Sequence, residues 1–295
     1  MKILDMKVVI GIPAFNEEAK IAGILIKLKK ISNDIIVCDD GSQDLTSNIA
    51  RELGATVIQH ERNMGYGAAI KTIFLKSQEM KADVLITFDA DGQHRIEDIG
   101  KVLEPIKNNS ADIVIGSRFL DDSQNIPKYR KLGIKAITEL TNITGGTKIS
   151  DSQSGFRAYN QKVLENIKPT ESGMGISTEI LIKAQKKGFE IVEVPITIKY
   201  EGDTSTHNPV SHGTSVVFST LKFVAIERPL VFYGIPGLIF LSIGLIFGIW
   251  TLQIFTDQGE VITNIALVGL GGVILGTVLI ISATILYSIV NVVRG

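Results

Sequence analysis

Two hydrophobic rhythms alternate along the chain up to about residue 200. Short runs rich in β-branched residues, at 7–12, 34–38, 56–59, 84–88, 112–115 and 191–198, read as strands. Between them, 17–30, 45–53, 67–77 and 96–107 carry apolar residues at helical spacing. In the first of these helices Ile21, Ile24, Leu25 and Leu28 form one stripe, with Lys20, Lys27 and Lys30 mostly off it. Strands alternating with helices predict an α/β domain, a largely parallel sheet with helices on both faces. Residues 121–147 are polar, with Pro127 and paired glycines, and predict a mobile loop plus a helix over the site. Residues 202–213 read as an irregular polar loop.

The rhythm then changes. Residues 215–228 place apolar positions on one helical face with Lys222, Glu227 and Arg228 clustered, which suits either a helix at a membrane surface or a last core helix of the domain. No charged residue or histidine occurs at 230–256 or at 261–293, and each run exceeds the roughly 20 residues that span a bilayer. The expected organisation is a globular domain at 1–213, an amphipathic juxtamembrane helix at 214–229 and a transmembrane hairpin at 230–295, with spans near 230–255 and 262–290. Lys222, Arg228 and Arg294 flank the hairpin on the side shared with the large domain, whereas the connecting loop offers Asp257 and Glu260. That bias puts the large domain in the cytoplasm of a multi-pass membrane protein. Gly244 and Gly248 are spaced for close helix approach, as are Gly272 and Gly276, either within the hairpin or in a homo-oligomer.

Composition excludes more than it assigns. A net charge of -1 over 295 residues gives no reason to expect nucleic-acid binding. The single cysteine, Cys38, lies in the apolar run IIVCDD and is expected to be a buried strand thiol. Asp5 and Lys7 interrupt what would be the apolar region of a signal peptide, so the N-terminus is expected to stay in the cytoplasm.

The candidate chemistry sits where strands end. PAFNEE (13–18), DDGSQD (39–44), DADGQH (89–94) and GSRF (116–119) each follow a predicted strand. Any one alone is an adequate turn and helix cap. Together they argue for one shared site, because strand C-termini converge in an open α/β sheet. Asp89 and Asp91 stand two apart at a strand exit and present two hard oxygen ligands to one side. That pattern suits Mg²⁺ or Mn²⁺ shared with substrate phosphates, with Gly92 allowing close backbone approach and Gln93 or His94 completing the shell. The four histidines are not at zinc-ligand spacing, and no Gly-Lys-Ser/Thr phosphate loop follows a strand. NMGYGAAI (63–70) carries Ile70 where a dinucleotide fingerprint needs its third glycine; it reads as a helix opening, with Arg62 and Asn63 facing the site.

PAFNEE, DDGSQD, the aspartate pair of DADGQH, GSRF and DSQSGFRAYN together resemble family 2 glycosyltransferases of the GT-A fold. More narrowly, over roughly residues 6–230, the chain resembles the dolichol-phosphate or polyprenyl-phosphate hexosyltransferases. The resemblance implies that Pro13, Ala14, Asn16 and Glu18 line a nucleotide pocket, that Asp40 hydrogen-bonds base or ribose, and that Asp89, Asp91 and Gln93 hold the metal on the donor diphosphate. It implies that Arg118 and Arg130 face donor or lipid phosphate and that Ser154, Gly155 and Arg157 lie near the acceptor. Asp151 and Glu179 are candidate bases, ranked below the metal ligands. The implied reaction is single displacement with inversion, from a GDP- or UDP-linked sugar to dolichyl or polyprenyl phosphate at a lipid bilayer. Three other readings compete: a processive polysaccharide synthase, disfavoured by the lack of a Gln-x-x-Arg-Trp element; an inactive membrane-tethered nucleotide-sugar binding module; and a nucleotidyltransferase. Apart from Lys199 itself, the stretch 199–213 lacks the basic cluster expected near donor phosphates, which leaves Ser205, His207 and His212 without an assigned part.

Overall fold

The structure is a computed structural model that describes residues 6–121, 128–146, 148–198, 221, 225–226 and 229–294, without the side chains of 128–130, 132 and 291–294. It divides into two compact units, Met1–Thr220 and Leu221–Gly295.

The first unit contains β1 (Val8–Ala14), α1 (Glu18–Leu28), β2 (Ile35–Asp39), α2 (Thr46–Glu52), β3 (Thr56–Gln59), α3 (Tyr66–Glu79) and β4 (Val84–Thr87). These are followed by α4 (Ile99–Lys107), β5 (Ile113–Ser117), α5 (Lys128–Gly145), β6 (Arg157–Asn160), α6 (Gln161–Asn166), α7 (Ile176–Lys186) and β7 (Ile191–Pro195). One seven-stranded sheet runs in the order β3-β2-β1-β4-β6-β5-β7. Only β6 is antiparallel to its neighbours, pairing Thr87 with Arg157 on one side and Ile115 with Arg157 on the other.

Pleating sorts the side chains into two cores. Ile10, Ile12, Ile86 and Phe88 pack against α1 and α4 on one face. Val9, Ile36 and Leu85 pack against α3, α6 and α7 on the other. A Cβ on Gly11 would lie 2.2 Å from the Ile73 side chain, so α3 seats on β1 only because that position has none. This is a three-layer α/β arrangement. From β1 the chain winds to β2 on one side and, later, to β4 on the other. The crevice between the C-terminal ends of β1 and β4 is therefore a topological switch point, the place where such sheets bind ligands.

Five elements differ from the sequence reading. The four residues of β6 are too short to display alternation, and α6 and α7 were not anticipated. β7 stops at Pro195, and beyond it Ile198 forms an isolated antiparallel bridge with His94. The expected helix at 96–107 begins as a 3₁₀ turn, Ile96–Asp98. The region 121–147 supplies the 18-residue α5.

The second unit is a helical hairpin. A π-helical turn, Leu230–Gly234, leads into α8 (Ile235–Gln258), which ends at Gly259 in the left-handed conformation (φ 70°) and is followed by α9 (Thr263–Arg294). Leu230–Gln258 and Thr263–Val290 are each long and apolar enough to cross a membrane. A Cβ on Gly244 would meet Val273 N at 2.4 Å, and one on Gly276 would meet Leu241 N at 2.5 Å. The Gly244, Gly272 and Gly276 positions thus serve the seam between the hairpin's own helices. Of the two alternatives for these glycines, the homo-oligomer has no support here, because the close approach they permit is used within the hairpin. Most of the juxtamembrane helix expected at 214–229 lies outside the described residues.

Candidate active site

At the end of β1, the loops 13–18 and 39–46 hold one another. The Asn16 amide N–H donates to Ser42 Oγ at 2.8 Å, and Gln43 N–H donates back to Asn16 Oδ1 at 2.9 Å. Glu17 and Glu18 N–H donate to Thr46 Oγ1 and Asp44 Oδ2, while Leu45 N–H donates to Glu18 Oε2 at 3.0 Å. Asn16 adopts φ 55°, a left-handed conformation that asparagine tolerates better than most residues. Pro13 and Ala14 are buried at the end of β1, with Ala14 O accepting from Asp40 N. A third loop closes the group, since a Cβ on Gly41 would lie 2.5 Å from the Arg62 backbone.

Asp40 is 4% exposed, and its carboxylate accepts from Met64 N at 2.9 Å, Gly65 N at 2.8 Å and His60 Nδ1 at 2.6 Å. Three donors thus already engage the carboxylate for which a base or ribose contact was expected, and two of them fix the turn that opens α3. Asp39 is likewise engaged, accepting from Ser42 N at 2.9 Å and from the hydroxyls of Ser42 and Ser47.

Just beyond β4, Asp89 and Asp91 lie near enough that the charge of one acts on the other. Asp89 Oδ2 lies 3.1 Å from His94 Nε2, and Asp89 Oδ1 accepts from the Tyr66 hydroxyl at 3.4 Å. His94 packs its ring on Phe88 and Phe156, centroids 5.7 and 5.2 Å away, and its Nδ1 is buried with no partner among the described residues. Burial raises the Asp89 pKa, but the hydrogen bond and charge of His94 and the charge of Arg118 outweigh it and hold the carboxyl below its ordinary value. Asp91 is pushed up, first by burial and then by the neighbouring Asp89 charge. Its Oδ1 accepts from Gln93 N at 2.9 Å. Burial, then the Asp89 charge, also lifts the Tyr66 phenol well above its usual range.

The donor set fits a hard divalent cation. Two carboxylates repel across one residue, and among the described residues no group of three or more His, Cys, Asp or Glu side chains forms a complete cage. An ion here would complete its shell from phosphate and water, the habit of Mg²⁺ and Mn²⁺ at phosphate sites.

Gly155 presses on Asp89 and Tyr66. A Cβ there would sit 2.6 Å from Asp89 Oδ2 and 2.7 Å from the Tyr66 hydroxyl, and its carbonyl accepts from Thr87 Oγ1 at 2.6 Å.

Across the crevice, Arg118 leaves the end of β5 and meets Asp151 in two parallel contacts, Nε to Oδ2 at 2.6 Å and Nη2 to Oδ1 at 2.7 Å. The backbone N–H of Arg118 adds a third contact at 3.1 Å. Asp151 is fully buried; burial raises its pKa, and the Arg118 charge and hydrogen bonds more than offset this, so the carboxyl stays below its ordinary value. A buried carboxylate held this way is a poor base. Glu179 is also engaged, accepting from Thr170 N, Glu171 N and Lys183 Nζ.

Arg157 is 1% exposed, and its Nε, Nη1 and Nη2 donate to the carbonyls of Ser154, Ser177 and Ser152 at 2.8, 2.9 and 2.7 Å. The expectation of a phosphate contact gives way to an internal brace: the guanidinium folds the 152–155 loop that carries Gly155. Ser154 is buried with its hydroxyl unpartnered among the described residues. The side chain of Arg130, and Lys199, Ser205, His207 and His212, lie outside the described residues. Sequence reasoning gave no part to Tyr66, Thr87 or Glu193; the glycines flanking Tyr66 were the available signal, since a Cβ on Gly67 would lie 2.5 Å from Gly173 O.

Comparison with known proteins places this geometry in a wider group. The profile of Glycosyl transferase family 2 matches residues 9–168. The chain is 36% identical over 235 residues to a UDP-N-acetylglucosamine–dolichyl-phosphate N-acetylglucosaminyltransferase of Methanococcus voltae, covering 72% of this chain and 92% of that one. It is 33% identical over 226 residues to a dolichyl-phosphate hexose transferase of Haloferax volcanii, covering 76% and 96%. In fold it is similar to glucosyl-3-phosphoglycerate synthase of Mycobacterium tuberculosis, solved with Mn²⁺, uridine diphosphate and glucosyl-3-phosphoglycerate. That match has a TM-score of 0.56 and 18% identity, over 74% of this chain and 80% of that one.

Proposed function

Because the chain belongs to glycosyl transferase family 2, we propose that it moves one sugar from a nucleoside-diphosphate donor to the phosphate of a dolichyl or other polyprenyl phosphate at a membrane. The observation that carries this reading is the pairing of Asp89 and Asp91 at the switch point with Arg118 at the end of β5. Support for the lipid acceptor comes from the names of the two archaeal relatives and from the two apolar helices. The name of the Methanococcus relative points first to a UDP-linked N-acetylhexosamine as donor. Lys222, Arg228 and Arg294, against Asp257 and Glu260, favour a cytoplasmic catalytic domain on a two-span anchor.

The chemistry asks little proton transfer of the protein. A lipid monophosphate is largely dianionic near neutral pH, with a second pKa of about 6, so it attacks the anomeric carbon without a base. This agrees with Asp151 orienting Arg118 rather than accepting a proton. Asp89, Asp91 and Gln93 are the residues that would hold Mg²⁺ or Mn²⁺, which supplies Lewis-acid stabilisation of the departing diphosphate. His94 and Tyr66 fix the Asp89 carboxylate, and Gly155 leaves room for it. Arg118, steadied by Asp151, offers paired donors to a phosphate oxyanion. With no chain group acting as nucleophile, one displacement inverts the anomeric centre, and holding the two phosphates in line provides the remaining acceleration.

Asp91→Asn tests the ion site. We expect turnover to fall at least ~100-fold, the scale of losing one preorganised electrostatic contact, with the melting temperature retained and with uridine diphosphate binding no longer responding to Mn²⁺. Substantial Mn²⁺-dependent transfer by that variant would overturn the assignment.

A further inference from the structure

β7 breaks its own pattern at one residue. Val192 and Val194 pack against the core on one face of the sheet, and Ile191 against the core on the other. Glu193 shares the second face with Ile191, where strand pleating calls for another apolar side chain. A carboxylate at such a position is the kind of local exception expected near a functional site.

Glu193 is fully employed. Its Oε2 accepts from Ser150 N at 2.7 Å, and its Oε1 accepts from Asp151 N at 2.9 Å and from Ser150 Oγ at 3.0 Å. Ser150 Oγ also lies 2.7 Å from Ser117 Oγ, and Ser117 precedes Arg118. Asp151, whose main chain Glu193 holds, is the residue that grips the Arg118 guanidinium at 2.6 and 2.7 Å. β5 and β7 are in parallel register, Ile115 opposite Glu193 and Ser117 opposite Pro195. The same two strands thus deliver both ends of the path.

We propose that Glu193 is a positioning residue for Arg118, acting through Asp151 to fix the anion-binding guanidinium against the acceptor phosphate. The inference rests on the reading of Arg118 as a phosphate-binding arginine and takes the acceptor's phosphate, of the two phosphates it could face, as its partner. Glu193 itself touches no substrate. Its carboxylate accepts from two consecutive backbone N–H groups, which sets the direction of the Asp151 side chain, and Asp151 in turn sets the plane of the guanidinium. A glutamine has the same shape, but its amide nitrogen must face at least one of those N–H groups, so one support of the Asp151 main chain is lost.

The experiment uses the full chain in detergent, with geranylgeranyl phosphate as the acceptor probe, geranylgeraniol as its phosphate-free control and uridine diphosphate with Mn²⁺ as the donor-side probe. Glu193→Gln should weaken geranylgeranyl phosphate binding about tenfold, the lower end of what outer partners of a binding group contribute. Uridine diphosphate and geranylgeraniol affinities should stay within about twofold. Arg118→Lys should weaken the same phosphate-dependent binding, and the double variant should be no weaker than Arg118→Lys alone, because residues acting in one path are not additive. If Glu193→Gln proves too unstable to purify, Ser150→Ala interrupts the same path and should give a smaller loss of the same selectivity. Unchanged acceptor affinity in Glu193→Gln, with Arg118→Lys impaired, would overturn the role of Glu193 alone. Additive losses, or an equal loss of uridine diphosphate affinity, would also overturn it. Unchanged affinity in both single variants would instead reject Arg118 as the phosphate contact.

Discussion

Gly155→Ala isolates the packing of the candidate metal carboxylate from its chemistry. The added methyl would sit 2.6 Å from Asp89 Oδ2 and 2.8 Å from Oδ1, where ordinary contact begins at 3.4 Å. Relief requires roughly 0.8 Å of movement, the gap between those two distances. The loop cannot retreat easily, since Arg157 ties it through Ser152 O and Ser154 O and Thr87 Oγ1 holds Gly155 O. The carboxylate must therefore give way, against its contacts with His94 and Tyr66. A misplacement approaching ~1 Å in a reacting constellation costs on the order of 10²-fold in rate. Overpacking should cost about 1–3 kcal/mol of stability, leaving the fold intact. The assay is initial-rate sugar transfer to a short polyprenyl phosphate, with thermal unfolding measured in parallel. Gly100→Ala is the control: that glycine lies in α4 with nothing within 4 Å of an added Cβ, so activity should be unchanged and stability slightly raised. Transfer by Gly155→Ala within twofold of the wild type would refute the reasoning that Gly155 sets the position of Asp89.

Asp151→Asn removes one partner of a nearly buried pair, Asp151 at 0% and the Arg118 side chain at 14% exposure. At pH 7 we expect a loss of about 3–5 kcal/mol, the usual result of stranding one charge. Because the folded carboxyl titrates below its ordinary 3.8, its contribution is present above that pH and vanishes as pH falls through the lower folded value. The stability gap between wild type and variant should therefore close below about pH 4, and a gap that persisted or widened there would contradict the assignment. Cys38, fully buried with its thiol pushed up to about 12 by burial, should resist iodoacetamide at pH 8 in the folded protein and react once unfolded, as read by mass spectrometry.

The parallel strands and their helices were legible because buried strands announce themselves as apolar runs, and β1, β2 and β4 are buried throughout. The candidate site loops were legible for a related reason: strand ends are where a bland turn would suffice, so polar clusters such as DADGQH stand out. β6 was hidden because RAYN is four residues long and sits beside motif residues that draw attention to chemistry. The parts played by Asp40, Arg157 and Glu193 were hidden because each is defined by partners far along the chain. Asp40 bonds Gly65, 25 positions away, Arg157 bonds Ser177, and Glu193 bonds Ser150. An arginine in a motif reads as an anion contact until its three nitrogens are seen to face carbonyls. The hairpin glycines invited two readings for the same reason, since spacing alone does not say which helix lies opposite.

The most direct measurement of the central claim is product analysis of the purified full chain given a panel of nucleotide sugars, a short polyprenyl phosphate and Mg²⁺ or Mn²⁺. We expect one sugar joined to one lipid phosphate with inverted anomeric configuration, and release of a nucleoside diphosphate in equal amount. Release of pyrophosphate, a polymer of sugars, or metal-dependent donor binding with no transfer to any polyprenyl phosphate would contradict it.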